Sequence, residues 1–368
     1  MKVLVITNQL FGLYKFRSEL LERLAAEKYD VLVSAPFDSH SDIKDKMSVK
    51  VVQNDCLDRR GTNPVKDLKL VRYYKSLIRK YDPDVVLTYT IKPNVYGGYV
   101  CGRLGVPYIV NVTGLGTSLE NESILQKITL FLYRAGLKHA GKVFFQNSEN
   151  RQFMIDKGVV REEQTDLLPG SGVNTEHYDY LPYPDESNGI VFTTIGRIMK
   201  DKGIDELLSA ACEIRKNHPD VTFRLIGEFD EAYEEKITGL DKQGVIRYLG
   251  FQEDVRKFVA ESHAVIHASY HEGMSNVLLE AASMGRPVIA TDVPGCREIY
   301  DSGVTGIAFK PGSSESLTEA IEYFLSLDKE KHIEMGRAGR EKILSEFDRK
   351  KVVDKYMFEI EKNTKEEL

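Results

Sequence analysis

The sequence predicts an α/β protein made of two doubly wound domains, each a parallel sheet with helices on both faces. The chain has 368 residues, which is more than a single hydrophobic core usually holds. Short β-branched apolar runs alternate with amphipathic stretches in both halves, and parallel strands need such crossover helices. No repeat of about 20–50 residues is visible in either half, so a solenoid is not expected.

The first half begins with a buried strand. Lys2 to Thr7 is a continuous apolar run typical of a parallel strand, and a loop with one glycine, Gly12, precedes a helix predicted from about Tyr14 to Lys28. The absence of a G-x-G-x-x-G pattern argues against a nicotinamide or flavin site. Further strands are predicted at 30–35, 48–53, 85–88, 107–112, 142–147 and 165–169. Further helices are predicted at 64–81, 90–104, 124–137 and 148–156.

The second half repeats the alternation after a connecting segment, 178–189, that is rich in proline, tyrosine and acidic residues. Its strands are predicted at 190–195, 222–226, 245–249, 264–268, 287–290 and 306–309. Its helices are predicted to start near Ile204, Asp230, Glu253, Ser275 and Ser313. After Asp328 only helices follow, the last from about Arg349.

The charge is unevenly distributed along the chain. Residues 1–175 carry 25 Lys and Arg against 19 Asp and Glu, whereas the remainder carries 25 against 37. A basic first half on an acidic protein favours a local anionic partner, such as a phospholipid surface or a diphosphate-linked acceptor. Two unrelated solvated surfaces are the alternative. The acidic second half disfavours nucleic acid as a partner.

Cysteine usage and hydropathy bear on the compartment. Four cysteines are scattered without C-x-x-C spacing, so reduced thiols of a cytoplasmic protein are expected rather than a zinc site or a disulfide framework. The apolar run at the N-terminus is too short for a secretory signal, and no uncharged run approaches the roughly 18 residues needed to span a bilayer. Any membrane contact is therefore expected to be peripheral, at the inner face of the cytoplasmic membrane.

Two helices of the first half suit such a contact. The helix at 64–81 carries six Lys and Arg residues opposite an apolar side, a pattern typical of membrane surfaces and also of any helix that covers a sheet. The helix at 124–137 is mostly apolar. Core packing and shallow insertion into a bilayer are its two alternative explanations.

The stretch 267–298 carries the strongest chemical signal. Its sequence predicts a strand, a loop with a glycine, and a short helix capped by Ser275. A helix start is an anion site, because unpaired N–H groups and the positive end of the dipole point to one place. Two carboxylates flank it, Glu272 in the loop and Glu280 eight residues later. Acids beside an anion site can accept hydrogen bonds from hydroxyl groups that are attached to the anion. A ligand that combines an anion with such hydroxyl groups is a sugar nucleotide, which this pattern therefore indicates.

A second loop supplies permanent cations. Arg197 and Lys202 lie in the segment Gly196 to Gly203, directly after the predicted strand 190–195. Ligands of open α/β sheets bind at the carboxyl ends of strands. Two cations there suit a diphosphate on which negative charge develops.

These motifs resemble those of a known enzyme family. Glu272 and Glu280 within EGMSNVLLEAASMGRPVIATDVPGCREI, together with GRIMKDKG at 196–203, resemble family-four retaining glycosyltransferases of the GT-B fold. The patterns T-x-K-P-N at 90–94 and N-V-T-G-L-G at 111–116 are similar to a narrower branch, N-acetylgalactosaminyl- and galactosyltransferases that build bacterial surface glycans on undecaprenyl diphosphate.

The resemblance implies two Rossmann-like domains that face a central cleft. Residues 1–175 would bind the acceptor, residues 176–348 would bind the nucleotide sugar, and the final helix, about 349–368, would cross back onto the first domain. The enzyme would move a hexose or N-acetylhexosamine from a UDP-sugar to a polyprenyl-diphosphate glycan with retention, and it would need neither a metal ion nor another cofactor.

The resemblance also assigns site residues. The catalytic residues would be Arg197, Lys202 and Glu272. Donor contacts would come from Gly12, Gly250, Phe251, Gly273, Met274, Ser275, Asn276, Val277 and Glu280. Acceptor contacts would come from Lys15, Arg17, Lys92, Asn111 and Thr113. Many relatives have a histidine in the Asn111 region that touches the donor sugar, so either Asn111 or Thr113 replaces it or the contact is absent.

Two other functions compete with this one. A UDP-sugar 2-epimerase of the same architecture would need an acid and a base around C2 of the sugar, and the first half offers no convincing cluster. A catalytically silent sugar-nucleotide-binding subunit is the second alternative. Asp82-Pro83-Asp84 and the pair His267 and His271 have metal-like spacings, but they fall on predicted turn and strand segments, so we reject both as metal sites.

Overall fold

The computed structural model describes residues 1–37, 41–57, 63–115, 123–187 and 189–365. They form two compact units. The first comprises Met1–Ser171 and the residues from Lys350 onwards, and the second comprises Gly172–Arg349. Each unit contains one fully parallel sheet, which confirms the predicted fold class.

The first unit contains a seven-stranded sheet with the order β3-β2-β1-β4-β5-β6-β7. Its strands are β1 Lys2–Ile6, β2 Asp30–Ala35, β3 Lys50–Gln53, β4 Val85–Tyr89, β5 Tyr108–Val112, β6 Lys142–Phe145 and β7 Thr165–Leu167. Its first five helices are α1 Leu10–Ala26, α2 Pro64–Tyr81, α3 Gly98–Leu104, α4 Ile124–Leu137 and α5 Ser148–Asp156. A π-helical turn, Pro93–Gly97, leads into α3.

The local sequence explains where these helices start. Asn63 caps α2 by accepting the N–H of Val65 at 2.9 Å, and Pro64 occupies the first helical position. The start predicted for α1 near Tyr14 is wrong, because the helix already begins at Leu10. Gly12 therefore lies in its first turn and not in a loop.

The second unit contains a six-stranded sheet with the order β10-β9-β8-β11-β12-β13. Its strands are β8 Val191–Ile195, β9 Thr222–Ile226, β10 Arg247–Tyr248, β11 Ala264–His267, β12 Val288–Thr291 and β13 Gly306–Phe309. Its helices are α6 Ile204–Asn217, α7 Glu234–Lys242, α8 Arg256–Ala260, α9 Asn276–Ser283, α10 Ser314–Ser326 and α11 Lys329–Lys342. The predicted strand 245–249 is shorter than expected, and α7 and α8 start three to four residues after the predicted Asp230 and Glu253. Among its described residues, the connecting segment 178–189 forms neither helix nor strand.

The last helix, α12 Arg349–Lys365, packs in the first unit. Val352, Tyr356 and Ile360 are buried in one core with α1 and one face of the sheet, while α2, α3, α4 and α5 cover the other face. Hydrophobic burial on both faces accounts for the nearly continuous apolar strands. Within the described residues, no helix combines the length and the apolarity that a membrane-spanning segment needs.

Candidate active site

The sheet of the second unit changes its winding direction at β8. The chain runs from β8 outward through β9 and β10 and then returns to β11 on the other side of β8. The loops that follow two strands at such a switch point diverge and leave a crevice for a ligand. In this unit they are the loop from β8 to α6 and the loop from β11 to α9. These two loops carry the three predicted catalytic residues.

Lys202 and Glu272 meet in this crevice. Nζ of Lys202 lies 2.5 Å from Oε1 of Glu272, with the two side chains 21% and 16% exposed. The same ammonium group lies 3.4 Å from Oγ of Ser269. His267, the last residue of β11, places Nε2 3.0 Å from the same Oε1 of Glu272. Two donors therefore converge on one carboxylate oxygen.

The charge state of Glu272 follows from these neighbours. Burial alone would raise the pKa of this carboxyl, because burial disfavours the charged form. The charge of Lys202, together with the hydrogen bond and charge of His267, outweighs burial and holds the pKa of Glu272 well below its usual range. An ionised carboxylate only accepts hydrogen bonds, so Nε2 of His267 is the donor. The carboxylate suits hydroxyl groups of a ligand.

Arg197 points to a different partner. Its Nη1 lies 2.6 Å from Oδ2 of Asp230, in the loop after β9, and its side chain is 51% exposed. The structure therefore brings Lys202 to Glu272 but pairs Arg197 with a neighbouring acid. Exposed ion pairs contribute little free energy, so an anionic ligand can compete with Asp230 for the guanidinium group.

The start of α9 has the predicted cap. Oγ of Ser275 accepts the N–H of Leu278 at 3.4 Å, and the cap leaves the N–H groups of Asn276 and Val277 as the donors of this turn that a ligand can use. Oδ1 of Asn276 is buried and has no partner in the part of the chain that the structure describes. Met274 is buried directly before the cap. The turn thus offers amide donors and one acceptor.

Glu280 lies one turn further along α9 and is only 3% exposed. Tyr178 lies close to it, and the pKa of Tyr178 is raised, first by burial and then by the negative charge and hydrogen bonding of Glu280. The carbonyl of Tyr178 accepts from Oγ of Ser283 at 2.7 Å and from Nη1 of Arg340 at 3.0 Å, which fixes this tyrosine. Sequence reasoning placed Tyr178 in the connecting segment and missed its contact with Glu280.

The segment after β12 packs closely against the loop that contains Glu272. Gly295 has φ +82°, and a Cβ atom there would lie 2.7 Å from the carbonyl oxygen of Gly273. Oε2 of Glu298 accepts the N–H of Gly295 at 2.7 Å. Only glycine fits at this close approach of two backbones, and Glu298 holds it in place.

Three glycines bring the ends of β8, β9 and β10 together. The N–H of Gly196 donates to Ile226 at 2.9 Å, and the N–H of Gly227 donates to Gly250 at 3.0 Å. A Cβ atom on Gly227, which has φ +155°, would lie 1.7 Å from the carbonyl oxygen of Gly196. Phe251, directly after Gly250, is 43% exposed. The strand ends therefore present backbone groups, and the partly exposed ring of Phe251 directly follows the last of them.

The predicted acceptor residues lie in the first unit, whose sheet has its switch point between β1 and β4. Lys92 follows β4, and its Nζ lies 2.9 Å from Oδ1 of Asp67 in α2. Oδ2 of Asp67 also accepts from Tyr96 at 2.8 Å. In this structure Lys92 is thus engaged by α2. Lys15 lies in the second turn of α1.

Arg17 and Asn111 belong to the packed interior of the first unit. Arg17 is 4% exposed, and its guanidinium carbon lies 5.4 and 5.8 Å from the ring centres of Tyr89 and Tyr356. Asn111 is 1% exposed, and its Nδ2 donates to the hydroxyl group of Tyr356 at 2.5 Å. Thr113 is half-buried and is the more accessible of the two candidates for the missing histidine. Gly116, in the same predicted loop, lies outside the described residues.

Two family models match the chain. The model described as glycosyl transferases group 1 matches residues 183–342, which include every site loop of the second unit, and the model described as glycosyl transferase 4-like matches residues 2–147. The two matches fall in different units.

Curated relatives align with this chain over most of their length. The N,N'-diacetylbacillosaminyl-diphospho-undecaprenol alpha-1,3-N-acetylgalactosaminyltransferase of Campylobacter jejuni is 23% identical over 334 residues, covering 86% of this chain and 88% of that protein. The UDP-Gal:alpha-D-GlcNAc-diphosphoundecaprenol alpha-1,3-galactosyltransferase of Escherichia coli is 24% identical, covering 94% of this chain and 92% of that protein.

Solved structures share the fold. A glycosyltransferase from Rickettsia africae has a TM-score of 0.80 at 19% identity, covering 100% of this chain and 99% of that one. The Anabaena protein HepE, in complex with UDP-glucose, has a TM-score of 0.80 at 19% identity, covering 98% of this chain and 100% of that one. These likenesses confirm the predicted GT-B architecture.

Proposed function

The chain belongs to the glycosyltransferases of the GT-B fold, and from that premise we propose that it moves a hexose or N-acetylhexosamine from a UDP-sugar to an undecaprenyl-diphosphate-linked glycan of a bacterial surface polysaccharide. The observation that carries the proposal is the ion pair of Lys202 and Glu272 at the switch point of the second sheet, beside the start of α9. It combines a cation for the diphosphate with an acid for the sugar.

The donor is held in the second unit. The ammonium group of Lys202 and the N–H groups of Asn276 and Val277 bind the diphosphate, and Arg197 leaves Asp230 to join them. As the sugar departs, negative charge grows on the β-phosphate, and preorganised cations and amides stabilise that charge. These groups take the role that a metal ion has in other transferases, so we propose that the reaction needs no metal.

Transfer retains the anomeric configuration. The acceptor hydroxyl oxygen bonds to C1 of the sugar on the face from which the C1–oxygen bond to the phosphate breaks. Its proton passes to the departing β-phosphate oxygen, so no enzyme nucleophile is required. Glu272 accepts hydrogen bonds from the sugar hydroxyls, and Glu280, which leans back toward the helix start, accepts from the ribose. Phe251 and Gly250 lie beside the base.

The acceptor is held in the first unit. Lys92 and Lys15 contact its diphosphate, and Thr113 takes the place of the histidine found in many relatives. Arg17 and Asn111, being buried, support this site from within.

The acceptor is anchored in a membrane, and we propose that the first unit binds the inner face of the cytoplasmic membrane. α2 exposes Arg72, Lys75, Arg79 and Lys80, and α4 exposes an apolar stripe, of which Ile124 is 79% and Phe131 is 67% exposed. Basic groups attract anionic lipid, and apolar side chains insert at the headgroup boundary.

The comparisons favour a transferase over the two alternatives. Both matching family models describe glycosyl transferases, and the curated relatives carry transferase names. The epimerase and the catalytically silent subunit find no comparable support.

The test is a screen of UDP-sugars against short undecaprenyl-diphosphate glycans, with UDP release and the anomeric configuration of the product as readouts. We expect one UDP-sugar to be transferred with retention, also after treatment with EDTA. Arg197→Ala and Glu280→Ala should each lower kcat by on the order of 10²-fold. Wild-type rates in both variants, or a product of inverted configuration, would contradict the proposal.

A further inference from the structure

His267 occupies an unusual position for a polar side chain. It is the last residue of β11, it is 5% exposed, and its Nε2 lies 3.0 Å from Oε1 of Glu272. Since a strand inside a parallel sheet is held on both sides, the ring has little freedom to move. Glu272 lies on a loop five residues later, so the contact joins a rigid element to a loop residue.

Another donor to this oxygen lies on a side chain with more rotatable bonds. Nζ of Lys202 reaches the same Oε1 at 2.5 Å from the end of a flexible side chain, in the short 3-10 turn Lys200–Lys202. In the proposed function, the donor diphosphate carries more negative charge than a single carboxylate, and it therefore attracts this ammonium group more strongly. Binding of the donor would then draw Lys202 away from Glu272.

That shift would leave a buried carboxylate without its nearest cation. Burial favours the neutral form of a carboxyl group, and a protonated or rotated Glu272 would lose acceptor capacity for sugar hydroxyls. A donor that stays in place while Lys202 moves prevents this. Nε2 of His267 is such a donor, because it bonds the same oxygen from a fixed strand end.

We infer that His267 is a positioning residue that holds the Glu272 carboxylate in its sugar-binding orientation when Lys202 turns to the donor diphosphate. The inference rests on the proposed function, in which Lys202 binds the donor diphosphate. It makes the ion pair of Lys202 and Glu272 the state without donor and the hydrogen bond from His267 the contact that persists.

The first experiment compares two substitutions at this position. His267→Gln keeps an N–H donor at nearly the same reach, whereas His267→Leu removes the donor. A lost hydrogen bond to a charged group corresponds to a change of roughly tenfold to a hundredfold. We expect His267→Leu to lower kcat by that factor and to change the Kd for UDP less than threefold, while His267→Gln stays within about threefold of wild type.

His332→Leu is the matched control. His332 is also buried, and its ring nitrogens lie 3.0 Å from Glu186 and 2.9 Å from the carbonyl of Phe324. Its loss should lower the unfolding midpoint and leave kcat unchanged. If the role of His267 were only structural, His267→Gln and His267→Leu would behave like this control, with lower stability and unchanged kcat, and the inference would be wrong.

A second measurement separates failure of this inference from failure of the proposed function. In urea unfolding without any ligand, His267→Leu should lower the midpoint more in a Lys202→Met background than in wild type, because the contact of Lys202 with the same oxygen of Glu272 is then already lost. An equal shift in both backgrounds overturns the inference even if the wild-type protein is an active transferase. Absence of turnover in wild type with an unequal shift refutes the proposed function alone.

Discussion

The substitution Lys202→Met tests the site at its centre. Methionine keeps most of the apolar stem of lysine and removes the ammonium group that lies 2.5 Å from Glu272. Breaking a fully buried ion pair costs about 3–5 kcal/mol. Since both side chains retain some exposure and His267 still donates to Glu272, we expect a loss of about 1–3 kcal/mol in the free energy of unfolding at pH 7.

The pH dependence of this loss has a definite sign. The pKa of Glu272 lies below its usual range, and the usual unfolded value is about 4.3. A depressed pKa contributes stability that is fully present above the unfolded value and is lost as the pH falls toward the folded one. The difference between wild type and Lys202→Met should therefore be largest at neutral pH and shrink below about pH 4.

The assays are urea unfolding at several pH values and UDP release with the best UDP-sugar. Because we propose that the ammonium group also stabilises the departing phosphate, kcat should fall by on the order of 10²-fold or more. Lys216→Met is the matched control, since Lys216 lies 2.6 Å from Glu213 in a pair that is 66% and 54% exposed. Such a pair contributes less than about 1 kcal/mol. A kcat within threefold of wild type in Lys202→Met would refute the reasoning, as would a stability loss that does not depend on pH.

Three further outcomes can be measured. Gly227→Ala should lower the free energy of unfolding by about 2–4 kcal/mol, because the new Cβ atom would meet the carbonyl of Gly196; urea unfolding checks this, and a neutral substitution would show that the strand ends are not packed as described. Tyr356→Phe removes the partner of the Asn111 amide and should cost about 1–2 kcal/mol without changing the Kd for UDP; a stability equal to wild type would count against the contact. Phe131→Ser should reduce the fraction of protein that sediments with vesicles containing anionic lipid, at unchanged stability. Binding equal to that of wild type would show that α4 does not contribute to the membrane contact.

The fold was largely predictable from the sequence, and its local deviations have physical reasons. The bounds of α2 were predicted correctly because Asn63 and Pro64 mark its start and Asp82, with φ +53°, marks its end. The start of α1 was not, because Gln9 gives no side-chain cap. Asn147 and Ser148 are both suitable helix caps at the predicted start of α5, and the sequence does not reveal which one caps. In the structure Asn147 does so, by accepting the N–H of Asn150 at 2.8 Å.

The site was predictable only in part. Lys202 and Glu272 follow strands of one sheet, so their proximity follows from the alternation of strands and helices. The contact of His267 with Glu272 depends on the turn of an intervening loop, which no periodicity encodes. Tyr178 and Glu280 lie 102 residues apart in the sequence, and the pairing of Arg197 with Asp230 depends on a rotamer. The sequence signals the contact of His267 only by the histidine itself, five residues before Glu272.

The burial of α12 in the first unit bears on how the chain folds during synthesis. The core of the first unit lacks the side chains of Val352, Tyr356 and Ile360 until residues 172–349 have been synthesised. At a synthesis rate of about 5–20 residues per second, α12 is completed roughly 10–40 s after Ser171. Residues 172–349 are contiguous in the chain, so the second unit can fold as soon as they have left the ribosome. Truncation within α12 should therefore damage the core that residues 1–171 form, and a fusion partner should be joined beyond α12.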